Sequence, residues 1–309
     1  MLRDHCGHAR YSWNLANPAG RPTWRKAGRD EGFRITGRRG RQWDVRRLSR
    51  ETGQVWVPKA VWVRFRWSRA VPPDAKSYRI TMDRAARWHV AFAVLPAPVP
   101  APANGQAVGI DRGVAVPAAL STGQMLHAPV LTGQERTRLR RLQRTLAHAK
   151  RGSNRRGRAK HAIARLKARE TDRRKDWAEK VSTDLACRFD LIRVEDLKIA
   201  NMTRSASGTL EEPGTNVAAK SGLNRSILDA GWGQFISILA AKAEEAGRRI
   251  VLVDPRHTSI TCHQCGARCL RPWQSLVICP VHGGMDADVN GARNIYARAG
   301  LGSGRAHAA

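Results

Sequence analysis

The stretch from His257 to Ile295, HTSITCHQCGARCLRPWQSLVICPVHGGMDADVNGARNI, combines the spacing of a metal site with a carboxylate motif. Cys262 and Cys265 form a C-x-x-C pair, and Cys279 and His282 form a C-x-x-H pair after an interval of thirteen residues. Two such knuckles, joined by a hairpin-like segment, offer four ligands to one Zn²⁺. Because a site closed by four protein ligands leaves no open coordination position, this zinc is predicted to be structural.

Cys269 suits neither knuckle, because it lies four residues after Cys265, and a free thiol is expected there. The competing interpretation of the whole pattern is a set of ordinary thiols beside a surface histidine, which the paired spacing disfavours. The chain has six cysteines. Their concentration in this stretch fits a reducing cytoplasm better than a disulfide framework.

Directly after the second knuckle, Asp286 and Asp288 begin a run of small and apolar residues that continues to Ile295. Aspartate at the start of such a run is typical of a helix N-terminus, where a carboxylate meets the positive end of the helix dipole. A helix cap with no further role is the simpler interpretation of this pair of acids. The placement of the other acids of the chain favours a functional role instead.

The composition of the chain indicates a polyanionic partner. Its 309 residues are long enough for two or more modules, and 55 Lys and Arg against 25 Asp and Glu give a formal net charge of +30 and a pI of about 11.4. Such an excess of positive charge binds nucleic acid through counterion release, with an affinity that falls steeply with salt. No signal peptide opens the sequence and no apolar run approaches about 20 residues, so no membrane partner is expected.

The first part of the chain is predicted to hold a short helix and a small β-domain. Residues 6–15 are typical of a helix that turn residues end, so residues 1–19 are taken as one N-terminal segment. Residues 20–95 are predicted to form a small barrel or curled sheet, with strands at 33–36, 42–48, 55–58, 60–67, 78–83 and 88–95. Residues 96–105, PAPVPAPANG, have the composition of a linker.

The strand at 60–67 has a basic, partly aromatic outer face. Val61, Val63, Phe65 and Trp67 are predicted to be buried. The alternate side chains, Trp62, Arg64 and Arg66, are predicted to be exposed. Interleaved Arg and Trp side chains neutralise and stack on nucleic acid, so Arg64 and Arg66 are candidate contacts. The competing interpretation is that such tryptophans belong to the core.

From residue 106 onward, strands alternate with helices, which predicts an α/β domain. Three short strands are predicted within 107–126, then two helices within 134–187, a buried strand from 191 that ends at Glu195, a mobile loop at 203–222, a helix at 224–246 and a strand at 248–255. The turn at 150–158 is a basic hairpin tip. Four arginines of this turn are predicted to contact phosphate, namely Arg151, Arg155, Arg156 and Arg158. The competing interpretation is a run of charges that only contacts solvent.

Three isolated acids fall at the ends of elements in this α/β domain. Asp111 lies on the first strand, Glu195 ends a later strand, and Asp288 begins the last helix. An RNase H-like fold would bring these ends together. Three close carboxylates repel one another unless divalent cations neutralise them, and two Mg²⁺ ions there would activate a water and stabilise the leaving oxygen of a phosphodiester. The acids therefore predict a nuclease.

Four motifs, in this order, resemble those of the OrfB/TnpB insertion-sequence proteins, which are related to the type V CRISPR effector nucleases. GIDRGV (109–114), VEDLKIANM (194–202), TSITCHQCG (258–266) and DADVNGARNI (286–295) resemble the RuvC-I, RuvC-II, zinc-ribbon and RuvC-III segments. GLNRSILDAGWGQF (222–235) is similar to the helix that the family places between the second and third RuvC motifs. The resemblance covers essentially all of 106–299.

The resemblance implies a fold for the whole chain. An α/β RNase H-like (RuvC) nuclease domain would comprise residues 106–256 and 286–299, with a zinc ribbon at 257–285 inserted in it. Residues 20–95 would be the wedge-like β-barrel, 1–19 a remnant helix and 300–309 a disordered tail. Family members carry a leading strand and a helical insert near the N-terminus that have no counterpart here, so a shortened N-terminal region is expected.

The resemblance also implies a function. The chain would be an RNA-guided DNA endonuclease with a guide RNA and a double-stranded DNA target as partners, located in the prokaryotic cytoplasm at the nucleoid. Its catalytic, Mg²⁺-binding acids would be Asp111, Glu195 and Asp288, and the zinc ligands would include His282 where the family usually has Cys. The competing hypotheses are a catalytically impaired RNA- or DNA-binding remnant or repressor, a transposase that acts on transposon ends without RNA, and a zinc-ribbon transcription factor.

Overall fold

The computed structural model describes residues 32–59, 61–209 and 211–298. The predicted N-terminal helix and the predicted C-terminal tail lie outside these ranges. The chain divides into two compact units, with the boundary between Leu95 and Pro96. Each unit is described by itself below.

In its described residues the first unit contains six short strands, each overlapping a predicted strand, although the third begins at Thr52 and not at Val55 as predicted. They are β1 Gly32–Thr36, β2 Val45–Arg47, β3 Thr52–Trp56, β4 Trp62–Arg66, β5 Ser77–Met82 and β6 Trp88–Ala93. Antiparallel pairing arranges them in two three-stranded sheets, with orders β1-β5-β6 and β2-β3-β4. Closure of these sheets into a barrel stays a prediction.

An aromatic cluster forms the core of the first unit. Trp43 and Tyr78 are almost completely buried, and the Tyr78 hydroxyl donates a 2.7 Å hydrogen bond to the Trp56 carbonyl oxygen. Phe65 and Trp67 pack against this core as predicted. The prediction that Val61 and Val63 are buried is wrong, because these side chains are 62% and 39% exposed. Among the described residues, β4 pairs only with β3 and lies at the edge of its sheet.

A five-stranded mixed sheet lies at the centre of the second unit. Its strands are β7 Ala107–Asp111, β8 Ala118–Leu120, β9 Met125–Leu126, β10 Leu191–Glu195 and β11 Arg249–Val253. The spatial order is β11-β10-β7-β8-β9. The chain makes an antiparallel meander through β7, β8 and β9, whereas β10 pairs parallel to both β7 and β11. This arrangement confirms the predicted alternation of strands and helices around a sheet.

Six helices lie among the described residues of the second unit. They are α1 Gly133–His148, α2 Asn154–Arg188, α3 Ile199–Met202, α4 Val217–Ala230, α5 Trp232–Glu245 and α6 Ala287–Ala297. The predicted helix at 224–246 is wrong in one respect, because it is two helices, of which the first begins at Val217 within the predicted loop. The break falls at Gly231, whose φ of 69° is left-handed backbone that ends α4 and starts α5 in a new direction.

The two faces of the central sheet are covered by different helices. Alternate residues of β7 and β10 form a buried cluster with side chains of α2 and α5, including Val108, Ile110, Ile192 and Val194 from the strands. Gly109 points to the opposite face, where a β-carbon would meet the backbone of Ala292 and Tyr296 in α6. A glycine is therefore required for α6 to cross β7 this closely.

Residues 96–105 are held against the second unit by hydrogen bonds along their length. The Val99 N–H donates to the Glu245 carbonyl oxygen at 2.9 Å, and Arg248 donates to the Pro102 carbonyl oxygen at 2.9 Å. The Asn104 N–H donates to the Asp190 carboxylate at 2.8 Å. This segment, which has the composition of a linker, is thus anchored at its start, middle and end.

A small antiparallel sheet separates β11 from α6. Its strands are β12 Leu270–Trp273, β13 Leu276–Cys279 and β14 Gly283–Asp286, in that spatial order. A small cluster of buried cysteines and apolar side chains lies under it. Among the described residues, no helix has the length and apolar composition needed to cross a membrane.

Candidate active site and metal centre

Asp111 and Glu195 end adjacent parallel strands. Ile110 of β7 is opposite Val194 of β10, so the next residue of each strand is a carboxylate. Side chains alternate along a strand, and Ile110 and Val194 face α2 and α5. Asp111 and Glu195 therefore both face the side of the sheet that α6 covers.

Asp288 reaches the same place from the N-terminus of α6. Asp286 caps this helix, because its carboxylate accepts hydrogen bonds from the backbone N–H groups of Asp288 and Val289 at 3.0 and 2.9 Å. The predicted helix start is thereby confirmed, and Asp286 has a capping role. One turn further on, a β-carbon at Gly291 would lie 2.9 Å from Oδ2 of Asp111. The helix thus passes close to Asp111 at the end of the first strand.

Asp111 lies near both of the other predicted acids. Burial, together with the nearby negative charges of Glu195 and Asp288, raises the pKa of Asp111 to about 7. Burial also raises the pKa of Glu195, whose side chain is almost completely buried, and the pKa of Asp288, with a second contribution from Asp286. In the part of the chain that the structure describes, none of the three forms an ion pair. Such a site favours a divalent cation over three free carboxylates.

Arg112 is a neighbour of this cluster that the sequence patterns did not single out. It is only 6% exposed, and it donates a hydrogen bond to the Glu195 backbone carbonyl. Its Nε atom is buried without a hydrogen-bond partner. The charges of Glu195 and Asp111 act on this guanidinium, so Arg112 supplies positive charge beside the acids without pairing with a carboxylate. An arginine directly after Asp111 in GIDRGV is the signal that could have identified it.

Thr258 also contacts the cluster and was missed in the sequence patterns. Its hydroxyl donates a hydrogen bond of 2.6 Å to Oε1 of Glu195. The residues are 63 positions apart, and no local pattern connects them. The segment after Thr258 leads into the first cysteine pair, so the acid cluster and the cysteine segment are neighbours in space.

Cys262, Cys265, Cys279 and His282 lie together as the sequence spacing predicts. One possible ligand atom from each, a sulfur or an imidazole nitrogen, falls within 4.8 Å of all the others. Sγ of Cys265 is 3.6 Å from Sγ of Cys279, and Nδ1 of His282 is 3.6 Å from Sγ of Cys262. Three thiols and one imidazole at these separations fit a tetrahedral metal site and match the preference of Zn²⁺.

The local backbone favours the ionised form of one of these ligands, the Cys279 thiol. Burial of the Cys279 thiol opposes ionisation, but the backbone N–H groups of His282 and Val281 outweigh it and lower the pKa of Cys279 to about 6. Cys269 differs, because burial and the neighbouring thiols raise its pKa to about 11. It lies outside the four-residue group and forms no disulfide, which confirms the expected free thiol.

The predicted basic hairpin tip lies between α1 and α2. Arg151, Arg155 and Arg158 are exposed, and in the described residues no hydrogen bond or ion pair engages their side chains. Arg156 differs, because its guanidinium donates to the carbonyl oxygens of Leu146 and Ala149 at 2.6 and 3.1 Å. It thereby completes the C-terminus of α1 and has less freedom to contact phosphate.

A groove between α1 and α2 extends this basic surface, and sequence patterns did not find it. The groove has a volume of about 440 Å³. Five basic side chains line it, namely Arg138, Arg158, His161, Arg165 and Arg169. No acid lines it, and none of the four arginines takes part in an ion pair among the described residues. Uncompensated arginines in a concave site favour an anion with several negative charges, such as a nucleic-acid backbone.

Arg64 and Arg66 lie on β4 of the first unit, exposed and without side-chain hydrogen bonds in the described ranges. Trp62, which precedes both arginines on this strand, is already covered, because the Arg46 guanidinium lies 4.2 Å from the Trp62 ring centroid. The geometry leaves these two arginines available for phosphate and makes base stacking on Trp62 less accessible.

Comparisons with known proteins give a consistent set of relatives. Residues 86–206 match the OrfB_IS605 model, described as a probable transposase, and residues 232–295 match the Cas12f1-like TNB domain model. The chain is 36% identical over 280 residues to "Putative RNA-guided DNA endonuclease InsQ" of Escherichia coli (strain K12), covering 89% of this chain and 68% of that protein. It is 35% identical to "Putative RNA-guided DNA endonuclease" of Streptomyces pristinaespiralis, covering 76% of this chain and 56% of that protein.

A solved structure shares the fold. The protein in the "Cryo-EM structure of the Cas12f1-sgRNA-target DNA complex" matches 96% of this chain and 70% of its own length, with a TM-score of 0.52 and 14% sequence identity. The mixed α/β architecture and the group of three cysteines and one histidine described above therefore belong to a Cas12f1-like fold.

Proposed function

Because this chain belongs to the OrfB/TnpB insertion-sequence family, we propose that it is an RNA-guided, Mg²⁺-dependent DNA endonuclease that cuts with one three-carboxylate site. The observation that supports this proposal most is that Asp111 and Glu195 end adjacent parallel strands, with the negative charge of Asp288 acting on Asp111. The three acids come from three separate sequence motifs. Two relatives that are named as putative RNA-guided DNA endonucleases support the same proposal.

The sheet topology supports an RNase H-like (RuvC) assignment for residues 106–256 and 286–299. An antiparallel meander of three strands is followed by two parallel strands added beside the first strand of the meander. This order brings the C-terminal ends of β7 and β10 together, and each of these two ends carries a carboxylate. The helix that follows the cysteine segment then adds the third acid.

Asp111, Glu195 and Asp288 would hold Mg²⁺, and the raised pKa of Asp111 beside the charges of Glu195 and Asp288 supports this role. The bound ions would supply an activated water and charge stabilisation for the leaving oxygen of a phosphodiester. Asp111 and Glu195 would hold the site on rigid strand ends, and the positive end of the α6 dipole would favour the ionised form of Asp288. Arg112 would keep the end of β10 in place through its hydrogen bond to the Glu195 carbonyl.

The zinc site would be structural. Cys262, Cys265, Cys279 and His282 would close the coordination sphere of Zn²⁺ and hold residues 257–285 as a ribbon, with imidazole as the fourth ligand. The three short strands have few large buried side chains of their own. A metal would therefore supply cross-links that a core of this size lacks.

Nucleic-acid partners are supported by the charge of the chain and by where that charge collects. A net charge of +30 favours polyanions in general, and the α1–α2 groove offers a concave surface without acids. We assign phosphate contacts to Arg151, Arg155 and Arg158 at the hairpin tip and to Arg64 and Arg66 in the wedge-like module at 20–95. Sequence reading would be delegated to base pairing between a guide RNA and double-stranded DNA. A protein with these partners would act at the prokaryotic nucleoid.

The decisive experiment purifies the full chain with any RNA that accompanies it, sequences that RNA, and supplies a matching DNA target in Mg²⁺. We expect cleavage by the wild type, no cleavage by Asp111→Asn, and wild-type cleavage by Asp176→Asn. Asp176 is a matched control because it is an exposed acid on α2, paired with Lys180 at 2.7 Å. RNA bound without cleavage by any variant would mean a guide-binding remnant or repressor, and strand transfer without RNA would mean a transposase.

A further inference from the structure

The Glu195 carboxylate is held by one hydroxyl group. The side chain is 6% exposed, and Oε1 accepts the 2.6 Å hydrogen bond from Thr258. Among the described residues, no other side chain or backbone group donates to this carboxylate, and no cation pairs with it. One oxygen is therefore fixed by a neutral donor, and Oε2 stays free to ligate.

Thr258 is itself immobilised. It is 4% exposed, and its backbone carbonyl oxygen accepts a 2.8 Å hydrogen bond from Nδ2 of Asn294. The same amide donates to the Thr261 carbonyl oxygen at 2.6 Å. The Thr258 hydroxyl oxygen also lies 3.0 Å from the Pro255 carbonyl oxygen, and the Glu195 carboxylate, at 2.6 Å, is the nearer acceptor for its single proton. A buried threonine whose backbone is held in this way can fix the direction of a partner carboxylate.

A second amide of the same helix completes the attachment. Asn290 donates to the Thr261 carbonyl oxygen at 2.8 Å, and its side-chain oxygen accepts from the His263 backbone N–H at 3.0 Å. Asn290 and Asn294 are four residues apart in α6, so they lie on one face of the helix. Both are buried. The helix that carries Asp288 is thereby joined to the segment that holds Glu195.

We propose that Thr258 is a positioning residue for Glu195, which holds one carboxylate oxygen so that the other is available to a divalent cation shared with Asp111 and Asp288. The inference rests on the proposed function, because it takes Glu195 to be a ligand of the catalytic metal. Removing the hydroxyl leaves a buried carboxylate without its only donor, and the side chain then turns or becomes protonated. Groups that orient a metal ligand in this way typically change metal affinity by about 10–100-fold.

The test uses Mn²⁺ alone as the probe, with the zinc-loaded full chain and no nucleic acid. Binding is measured by electron paramagnetic resonance for wild type, Thr258→Val, Thr258→Ser and Asp111→Asn. We expect Thr258→Val, which keeps the shape of the side chain, to weaken Mn²⁺ binding by about 10–100-fold. Thr258→Ser, which restores the hydroxyl, should bind Mn²⁺ like the wild type. Zinc content should stay the same in all four proteins.

The outcomes separate this inference from the proposed function. If Asp111→Asn loses Mn²⁺ but Thr258→Val binds it like the wild type, the positioning role is wrong and the metal site stands. If the wild type has no Mn²⁺ site that depends on Asp111, the proposed function and this inference fall together. A loss of stability in Thr258→Val with unchanged Mn²⁺ affinity would also overturn it, since that is a purely structural role. Should Thr258→Val not fold, Thr258→Ala removes the hydroxyl without placing a second methyl near the carboxylate.

Discussion

Gly291 lies against Asp111, and a β-carbon at Gly291 would be 2.9 Å from Oδ2 of the carboxylate. This glycine is in the second turn of α6, where glycine is otherwise unfavourable by about 1 kcal/mol relative to alanine. The helix accepts that cost at the position where it faces the Asp111 carboxylate. The absence of a side chain thus leaves room beside the acid cluster.

We predict that Gly291→Ala impairs cleavage while the chain still folds. The new methyl group would displace the Asp111 carboxylate and exclude a cation from its Oδ2 side, whereas the gain in helix propensity offsets part of the strain. Cleavage rate and Mg²⁺ concentration at half-maximal rate are the measurements, and a loss of at least about tenfold in rate at fixed Mg²⁺ is expected.

Gly222→Ala is the matched control for this change. Gly222 is also within a helix, and a β-carbon there would meet no atom within 4 Å. Its cleavage rate should equal that of the wild type. Equal rates for Gly291→Ala and Gly222→Ala would show that the close approach to Asp111 has no part in metal binding.

Stability without Mg²⁺ should fall as pH rises through the acid range. Asp111 has a pKa of about 7 in the folded chain, against an ordinary value of 3.8. Between these values the folded state holds a proton that the unfolded state has released, so the free energy of unfolding decreases from about pH 4 to pH 7. Above about pH 7, Asp111 is ionised in the folded chain, and its burial lowers the free energy of unfolding by the full amount.

Asp111→Asn should remove this part of the pH dependence. At pH 8 without Mg²⁺, the variant is expected to be more stable than the wild type by about 1–3 kcal/mol, because one repelling buried charge is gone. Urea unfolding at pH 5.5 and pH 8 measures the difference. Asp176→Asn should follow the wild type at both values, and an equal pH dependence in all three proteins would contradict the raised pKa.

Cys262→Ser is predicted to abolish stoichiometric zinc binding. Oxygen of serine is a poor replacement for thiolate, so the site loses one of its four ligands and the ribbon at 257–285 loses its cross-link. Metal analysis of the purified protein and limited proteolysis between β11 and α6 check this prediction. Cys269→Ala should keep both zinc and protease resistance, since this buried thiol lies outside the ligand group. Zinc retained in full by Cys262→Ser would show that the knuckles do not bind it.

Neutralising the α1–α2 groove should change the salt dependence of nucleic-acid binding. Replacing Arg138, Arg165 and Arg169 with Gln removes three charges from a site without acids. The slope of log K against log salt concentration is expected to become shallower by about 2–3, at roughly 0.9 per lost phosphate contact with duplex DNA. Fluorescence anisotropy with a DNA duplex at several salt concentrations measures it.

Lys180→Gln is the control for the groove. Lys180 is on the same helix, exposed and paired with Asp176 at 2.7 Å, so its charge is already compensated. Its loss should leave the slope unchanged. An unchanged slope in the triple variant as well would mean that the backbone of nucleic acid binds elsewhere.

The sequence alone predicted features whose signal is local. Alternating apolar residues predicted the strands that contain Phe65 and Asp111, and paired cysteines at fixed spacing predicted the group that includes Cys262. Local patterns did not predict the break between α4 and α5. A glycine within a helical pattern is tolerated, so nothing in the periodicity indicated that Gly231 would take left-handed backbone and break the helix.

Side-chain partners were decided only by the tertiary structure. The motifs identified Asp111, Glu195 and Asp288 as candidates, because acids are rare in this basic chain and each of the three falls at the end of a predicted strand or helix. Nothing in the sequence connected Glu195 with Thr258, or showed that α1 and α2 enclose a groove of arginines. Periodicity and spacing report forces between neighbours along the chain, whereas a hydrogen bond across 63 residues exists only after sheet order and helix packing have brought its two ends together.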